Sequence, residues 1–120
     1  MKRDRAVAIF ECLSSDVRLD IFRLLVRRGL DGEVAGVIAA ELDVAANNLS
    51  FHLKGLAQVG LVKVQQEGRF QRYRANLGLM GDLVSYLTEE CCGGDLTRCV
   101  EIGARKVCGG GSSGGVRSRS

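Results

Sequence analysis

The sequence predicts a mostly helical α+β domain, with four helices, a β-hairpin and a last helix. Three observations predict it. Apolar residues recur at helical spacing over the first half of the chain. The period then drops to two across a short basic stretch rich in Val and Arg. A helical Leu stripe follows, before a Gly-rich end.

The first helix is expected over Arg3 to Leu13, where Ala6, Ile9, Phe10 and Leu13 share a spacing that Ser14-Ser15-Asp16 interrupts with N-cap residues. A second runs from Asp16 to Arg28. Val17, Ile21, Leu24 and Leu25 form its stripe, Asp16 suits its positive N-terminal end, and Arg27-Arg28 before Gly29 suits its last turn. A third is expected over Glu33 to Leu42, with Val34, Val37, Ile38 and Leu42 inward, and Asp43 begins a short break. The fourth spans about Ala46 to Val59, burying Leu49, Leu53, Leu56 and Val59 and ending at Gly60. Val62 and Val64 then alternate with Lys63 and Gln65, Glu67-Gly68 makes a turn, and Tyr73 returns between Arg72 and Arg74 as the second strand. Leu79, Leu83 and Leu87 make the final helix, which should stop at Gly93-Gly94.

A chain of 120 residues, 46% of them apolar, is the size of one domain with one modest core. Its expected organisation is a core domain over 1–92, a cysteine-containing segment over 93–108, and a disordered Gly/Ser-rich tail over 109–120. With 17 Lys and Arg against 14 acids, the net charge of +3 is too small to imply a polyanionic partner, so clustering must supply any phosphate affinity. No apolar run approaches the roughly 18 residues of a membrane span, and a cytoplasmic protein is expected, without a membrane partner. Five cysteines in such a chain suggest metal or redox chemistry rather than a disulfide framework. No acid, base or phosphate-binding loop accompanies them and Cys-x-x-Cys is absent, which argues against an enzyme.

Helices followed by a basic hairpin give the order of a winged helix-turn-helix, whose later helix enters the major groove of double-stranded DNA. Asn47, Asn48, Ser50 and Phe51 are the candidates for reading bases, since amides can bridge adenine, hydroxyls can bond base or phosphate, and an apolar ring can meet a thymine methyl. His52 and Lys54 lie on the same helix, His52 with a structural hydrogen bond as its competing role. Arg69, nearest the hairpin tip, and Arg72 are the candidates for the sugar-phosphate backbone.

Cys91 and Cys92 fall where the last helix ends, and the Gly93-Gly94 stretch lets Cys99 turn back toward them. Three sulfurs without nearby His select soft, thiophilic ions. As(III) takes three in a pyramid, whereas structural zinc wants a fourth ligand, which Cys108, nine residues on, could add as thiolate. Reversible oxidation of the same thiols is the competing chemistry. Cys12, among apolar residues of the first helix, reads as a small buried hydrophobe.

The segments Ser15-Asp16-Val17-Arg18-Leu19-Asp20-Ile21-Phe22, Leu49-Ser50-Phe51-His52-Leu53-Lys54 and Gly68-Arg69-Phe70-Gln71-Arg72-Tyr73 resemble the signature segments of the ArsR/SmtB family of metal-sensing repressors. The resemblance spans roughly Arg5 to Cys99. It implies a homodimer joined through its first and last helices, with Ile9, Leu13, Leu79, Leu83 and Leu87 at the interface, holding an inverted-repeat operator. The Cys-Val-Cys box of typical arsenic sensors is absent, its place taken by Ala35, Gly36 and Val37. Cys91, Cys92 and Cys99 instead resemble a less common branch with its cysteines at the end of the last helix. The implied function is an arsenite- and antimonite-responsive repressor that needs no organic cofactor and leaves its operator when metalloid binds. The alternative is a redox or persulfide sensor of the same fold.

Overall fold

The computed structural model describes residues 1–89; Cys91, Cys92, Cys99 and Cys108 lie outside them. Residues 1–84 form one compact unit, and the helical turn from Ser85 belongs to a second. In order, the elements are α1 (Arg3–Leu13), α2 (Asp16–Arg28), β1 (Glu33–Val34), α3 (Ala35–Leu42), α4 (Ala46–Gln58), β2 (Val62–Glu67), β3 (Phe70–Ala75) and α5 (Leu77–Thr88). No helix among the described residues is long and apolar enough to cross a membrane.

The helix ends follow local chemistry. The Ser15 hydroxyl accepts a hydrogen bond from the Arg18 amide at 3.3 Å and so caps α2, as its sequence position leads one to expect. Asn76 Oδ1 accepts from the Leu79 amide in the same way at the start of α5, while Asn76 Nδ2 donates to the Gly60 carbonyl. Asp43 closes α3 in the left-handed conformation, which Asp tolerates better than most side chains, and the chain turns directly into α4. That close succession of α3 and α4 is the helix-turn-helix.

The core is built from one face of each helix. Ala6, Ile9 and Cys12 of α1, Ile21, Phe22, Leu24 and Leu25 of α2, Ile38 of α3, and Leu49, Leu53 and Leu56 of α4 are all buried, with Leu61, Val62, Tyr73 and Leu83 completing it. Cys12 is thus the buried hydrophobe its sequence context suggests. Phe10 and Val37, which the helical periods place inward, are instead exposed, because only about a third of a short helix can face so small a core.

The main departure from the sequence reading lies between α2 and α3. The expected start of the third helix at Glu33 is taken by strand β1, which pairs antiparallel with β3 (Glu33 with Tyr73, Val34 with Arg72), giving a three-stranded sheet in the order β1-β3-β2. The last helix also starts earlier, at Leu77 rather than near Leu79. A 3-10 turn at Gly29–Asp31 delivers the chain to β1, and Gly29 and Gly32 both have φ of 63°. Gly32 is buried against β3, where a Cβ would collide with the Tyr73 carbonyl oxygen. Arg28 fastens the same corner: its Nε donates to Glu33 Oε1 at 2.8 Å and its Nη2 to Glu41 Oε1. The Arg28 guanidinium, with help from the Val34 amide, holds the Glu33 carboxyl below the usual carboxylate value.

Gly32→Ala combines a forbidden φ with a backbone clash, whereas Gly29→Ala meets nothing within 4 Å. Gly32→Ala should therefore cost at least about 2 kcal/mol, and more than Gly29→Ala, in urea unfolding. Equal losses for the two would show that the β1–β3 approach is not what requires glycine.

Candidate nucleic-acid interface

Burial of Leu49, Leu53 and Leu56 fixes the rotation of α4 about its axis. With about 100° between successive residues, the stripe opposite that face is Asn47, Phe51, Lys54 and Gln58. All four are exposed, and Phe51 is 64% exposed, an unusual state for a large ring without a further partner. Asn47 is exposed, and its Oδ1 accepts from the Asn48 amide at 3.0 Å. Of the residues predicted to read DNA, the stripe brings together Asn47, Phe51 and Lys54. Gln58 was missed, although extending the spacing one more turn finds it.

The other candidates lie on the flanks of α4. Ser50 faces the wing, across a cleft it shares with Lys54, Val64, Gln71 and Tyr73. On the wing side of that cleft the Tyr73 hydroxyl donates to Gln71 Oε1 at 2.9 Å, Gln71 Nε2 to Gln66 Oε1 at 3.3 Å, and Gln66 Nε2 to the Gly68 carbonyl at 2.8 Å. Burial pushes the Tyr73 phenol up, which keeps it a donor. This run of side chains ties the base of the wing to its tip.

Asn48 and His52, one helical turn apart, lie on the opposite flank, where His52 meets α2. His52 is half-buried and its Nδ1 accepts from Arg18 Nε at 3.2 Å, the structural role that competed with DNA contact in the sequence reading. Its ring meets Phe51 edge to face, with centroids 5.4 Å apart. The Arg18 guanidinium lies over Phe51, 5.5 Å from the ring centroid, and its Nη1 is 3.9 Å from the buried Cys12 sulfur.

The arginines of the wing divide into two kinds. Arg72 Nε donates to Glu67 Oε1 at 3.0 Å and its Nη1 to the Asp31 carbonyl at 3.0 Å. Arg74 donates to the Leu30 carbonyl and to Gln65 Oε1, each at 2.7 Å. Both bind the wing to the turn before β1. Arg69 is exposed at the tip beside Gly68 and Phe70 and has no hydrogen-bond or ion-pair partner among the described residues. It carries the charge available to a partner.

The residues expected at a dimer surface also divide. Ile9 and Leu83 are buried within the protomer, Leu13 and Leu79 are half-buried, and Leu87 is exposed. Val7 and Phe10, on the outer side of α1, are 46% and 45% exposed. The proposed metalloid ligands Cys91, Cys92 and Cys99 fall outside the described residues.

A helix-turn-helix with a β-hairpin following its second helix defines a winged helix-turn-helix protein. A family model described as a helix-turn-helix domain matches residues 13–65, from the end of α1 into β2. The chain is similar in structure to an ArsR-like transcriptional regulator from Rhodococcus sp. RHA1, with 27% identity over 82% of this chain and 89% of that one and a TM-score of 0.63. It is also similar to the homodimeric winged helix-turn-helix DNA-binding domain of a possible ArsR-family transcriptional regulator from Mycobacterium bovis (26% identity, 72% and 81% covered, TM-score 0.58). HlyU from Vibrio cholerae shares the fold at 22% identity, with 77% and 99% covered and a TM-score of 0.61. A comparison with curated protein sequences found no match.

Proposed function

We propose that the protein is a transcriptional repressor of the ArsR/SmtB type, binding operator DNA as a homodimer and released by As(III), or Sb(III), held by Cys91, Cys92 and Cys99. The observation that carries DNA binding is the outward stripe of α4, Asn47, Phe51, Lys54 and Gln58, beside a wing whose tip presents an unengaged Arg69. The amides and the ring suit base edges in a major groove, and Lys54 and Arg69 suit phosphates. The similarity to ArsR-type regulators supports the same reading. The spacing of three thiols around a Gly pair supports the inducer, because trivalent arsenic takes three soft ligands.

Dimerisation places two copies of α4 in successive major grooves, as an inverted-repeat operator requires. With Ile9 and Leu83 used inside the protomer, the apolar surface left on α1 is Val7 and Phe10. Inducer binding near the end of α5 would act on DNA affinity through the dimer interface, with a coupling on the order of 1 to 3 kcal/mol.

Three outcomes check this account. Operator release should follow arsenite and not zinc or peroxide, and Cys91→Ser, Cys92→Ser and Cys99→Ser should still bind DNA but stop responding to arsenite. A full arsenite response from the Cys91→Ser, Cys92→Ser double variant, or release by peroxide alone, would refute the inducer. Arg69→Ala should lower the slope of log affinity against log salt by roughly one, whereas Arg72→Ala should leave the slope alone and cost about 1 to 2 kcal/mol of folding stability. Equal slope changes for both would contradict the division of the wing arginines. Phe10→Glu should give folded monomers by sedimentation with much weaker operator binding; an unchanged dimer would place the interface elsewhere.

A further inference from the structure

We infer that Arg18 of α2, together with Lys54 and Gln58 of α4, forms a seat for a backbone phosphate of double-stranded DNA, and that Gly55 is bare so that the guanidinium can reach it. The inference rests on the DNA-binding reading above and adds an element, α2, that the reading does not use.

A cleft of about 290 Å³ lies on the α2 flank of the outward stripe, lined by Arg18, Phe51, Lys54, Gly55 and Gln58. The cleft is open to solvent, and its volume leaves room for a tetrahedral anion between the two cations. Two of the five lining residues are cations, one is a neutral amide, and none is an acid. Arg18 is half-buried and forms no ion pair among the described residues, in contrast to Arg28 and Arg72, whose guanidiniums are matched to carboxylates. A partly desolvated cation without a counter-charge, next to a second cation, is an arrangement completed by an external anion.

The guanidinium is aimed by its neighbours. Nε is held by His52 Nδ1, Nη1 approaches the Cys12 sulfur, and Cζ lies over the Phe51 ring. Of its five N–H donors, most of those on the two terminal nitrogens are left without a strong acceptor. Gly55 makes the approach possible: a Cβ there would sit 2.7 Å from Arg18 Nη2 and 2.8 Å from Cζ. Helix interiors otherwise disfavour glycine, and its place here gives the guanidinium a path across α4 to the surface beside Lys54. Lys54 and Gln58 are one turn apart on the same face, so both can close on one phosphate with Arg18. Because α4 is the helix that would lie in the groove, the strand passing along its α2 flank brings a phosphate to this place. The wing contacts the backbone on the other side.

A role confined to bracing α2 against α4 makes a different prediction, and Arg18→Lys separates the two. Lys keeps the charge but loses the planar fork that reaches His52. Binding to a fluorescent random-sequence duplex is followed by anisotropy across a salt series, with thermal unfolding of each variant as control. Arg18→Gln should weaken binding about tenfold and lower the salt slope by roughly one, while Arg18→Lys should keep the slope. Gly55→Ala, which keeps the charge but displaces it, should stay folded and lose several-fold, and it tests the seat if Arg18→Gln fails to fold. Wild-type slope and affinity in Arg18→Gln, or in Gly55→Ala, would overturn the seat while leaving DNA binding by α4 and the wing intact. Equal loss of slope in Arg18→Lys and Arg18→Gln would assign Arg18 to bracing and also overturn it. Failure of the wild-type protein to bind the duplex at all would remove the DNA-binding reading and the seat together.

Discussion

The burial of Leu49, Leu53 and Leu56 is the constraint from which the rest of the site follows. Once those three side chains are in the core, the rotation of α4 is set, and every other residue of the helix is assigned to the outward stripe or to one of two flanks. The stripe carries amides, a ring and a lysine. One flank meets α2 through Arg18 and His52, and the other faces the wing across the cleft lined by Ser50 and Tyr73. A rotation of α4 by one residue would bury Lys54 or expose a leucine, so packing energy protects the geometry of the surface it does not itself include.

A second theme is the division of charge between structure and surface. The chain holds 17 Lys and Arg, a number that by itself implies nothing about a partner. Arg28 is consumed in fastening β1 and α3 to α2, and Arg72 and Arg74 hold the wing against the turn at Gly29–Asp31. These bonds tie the wing to the turn before β1. Among the described residues, the cations left at or beside the outward face are Lys54, Arg69 and, by the argument above, Arg18. Lys54 stands on the outward face of α4, Arg18 on its α2 flank and Arg69 at the tip of the wing, and that placement, not the modest net charge, favours a duplex as partner.

Much of the fold was legible in the sequence because the signals are local. The Ser15 cap, the apolar period of α2 and α4, and the switch to a period of two at Val62 each depend on residues a few positions apart. Strand β1 was not legible, since two residues carry no period and their conformation is set by pairing with Tyr73 and Arg72, far away in the chain. The same limit governed the site. Asn47, Phe51 and Lys54 follow from helical spacing, but nothing near Arg72 in sequence reveals that the Asp31 carbonyl engages it, and nothing near Arg18 reveals Gly55. Ile9 and Leu83 matched a dimer surface by pattern alone, yet apolar spacing cannot tell a protomer's core from an interface between protomers.

The central claim, that the outward face of α4 and the tip of the wing form one surface for duplex DNA, is tested most directly by mapping amide chemical shifts of the isotope-labelled protein as duplex is added. The account predicts that the largest changes gather at Asn47, Phe51, Lys54, Gln58 and Arg69. Changes gathered on α1 or α3, with α4 and the wing tip unmoved, would contradict it.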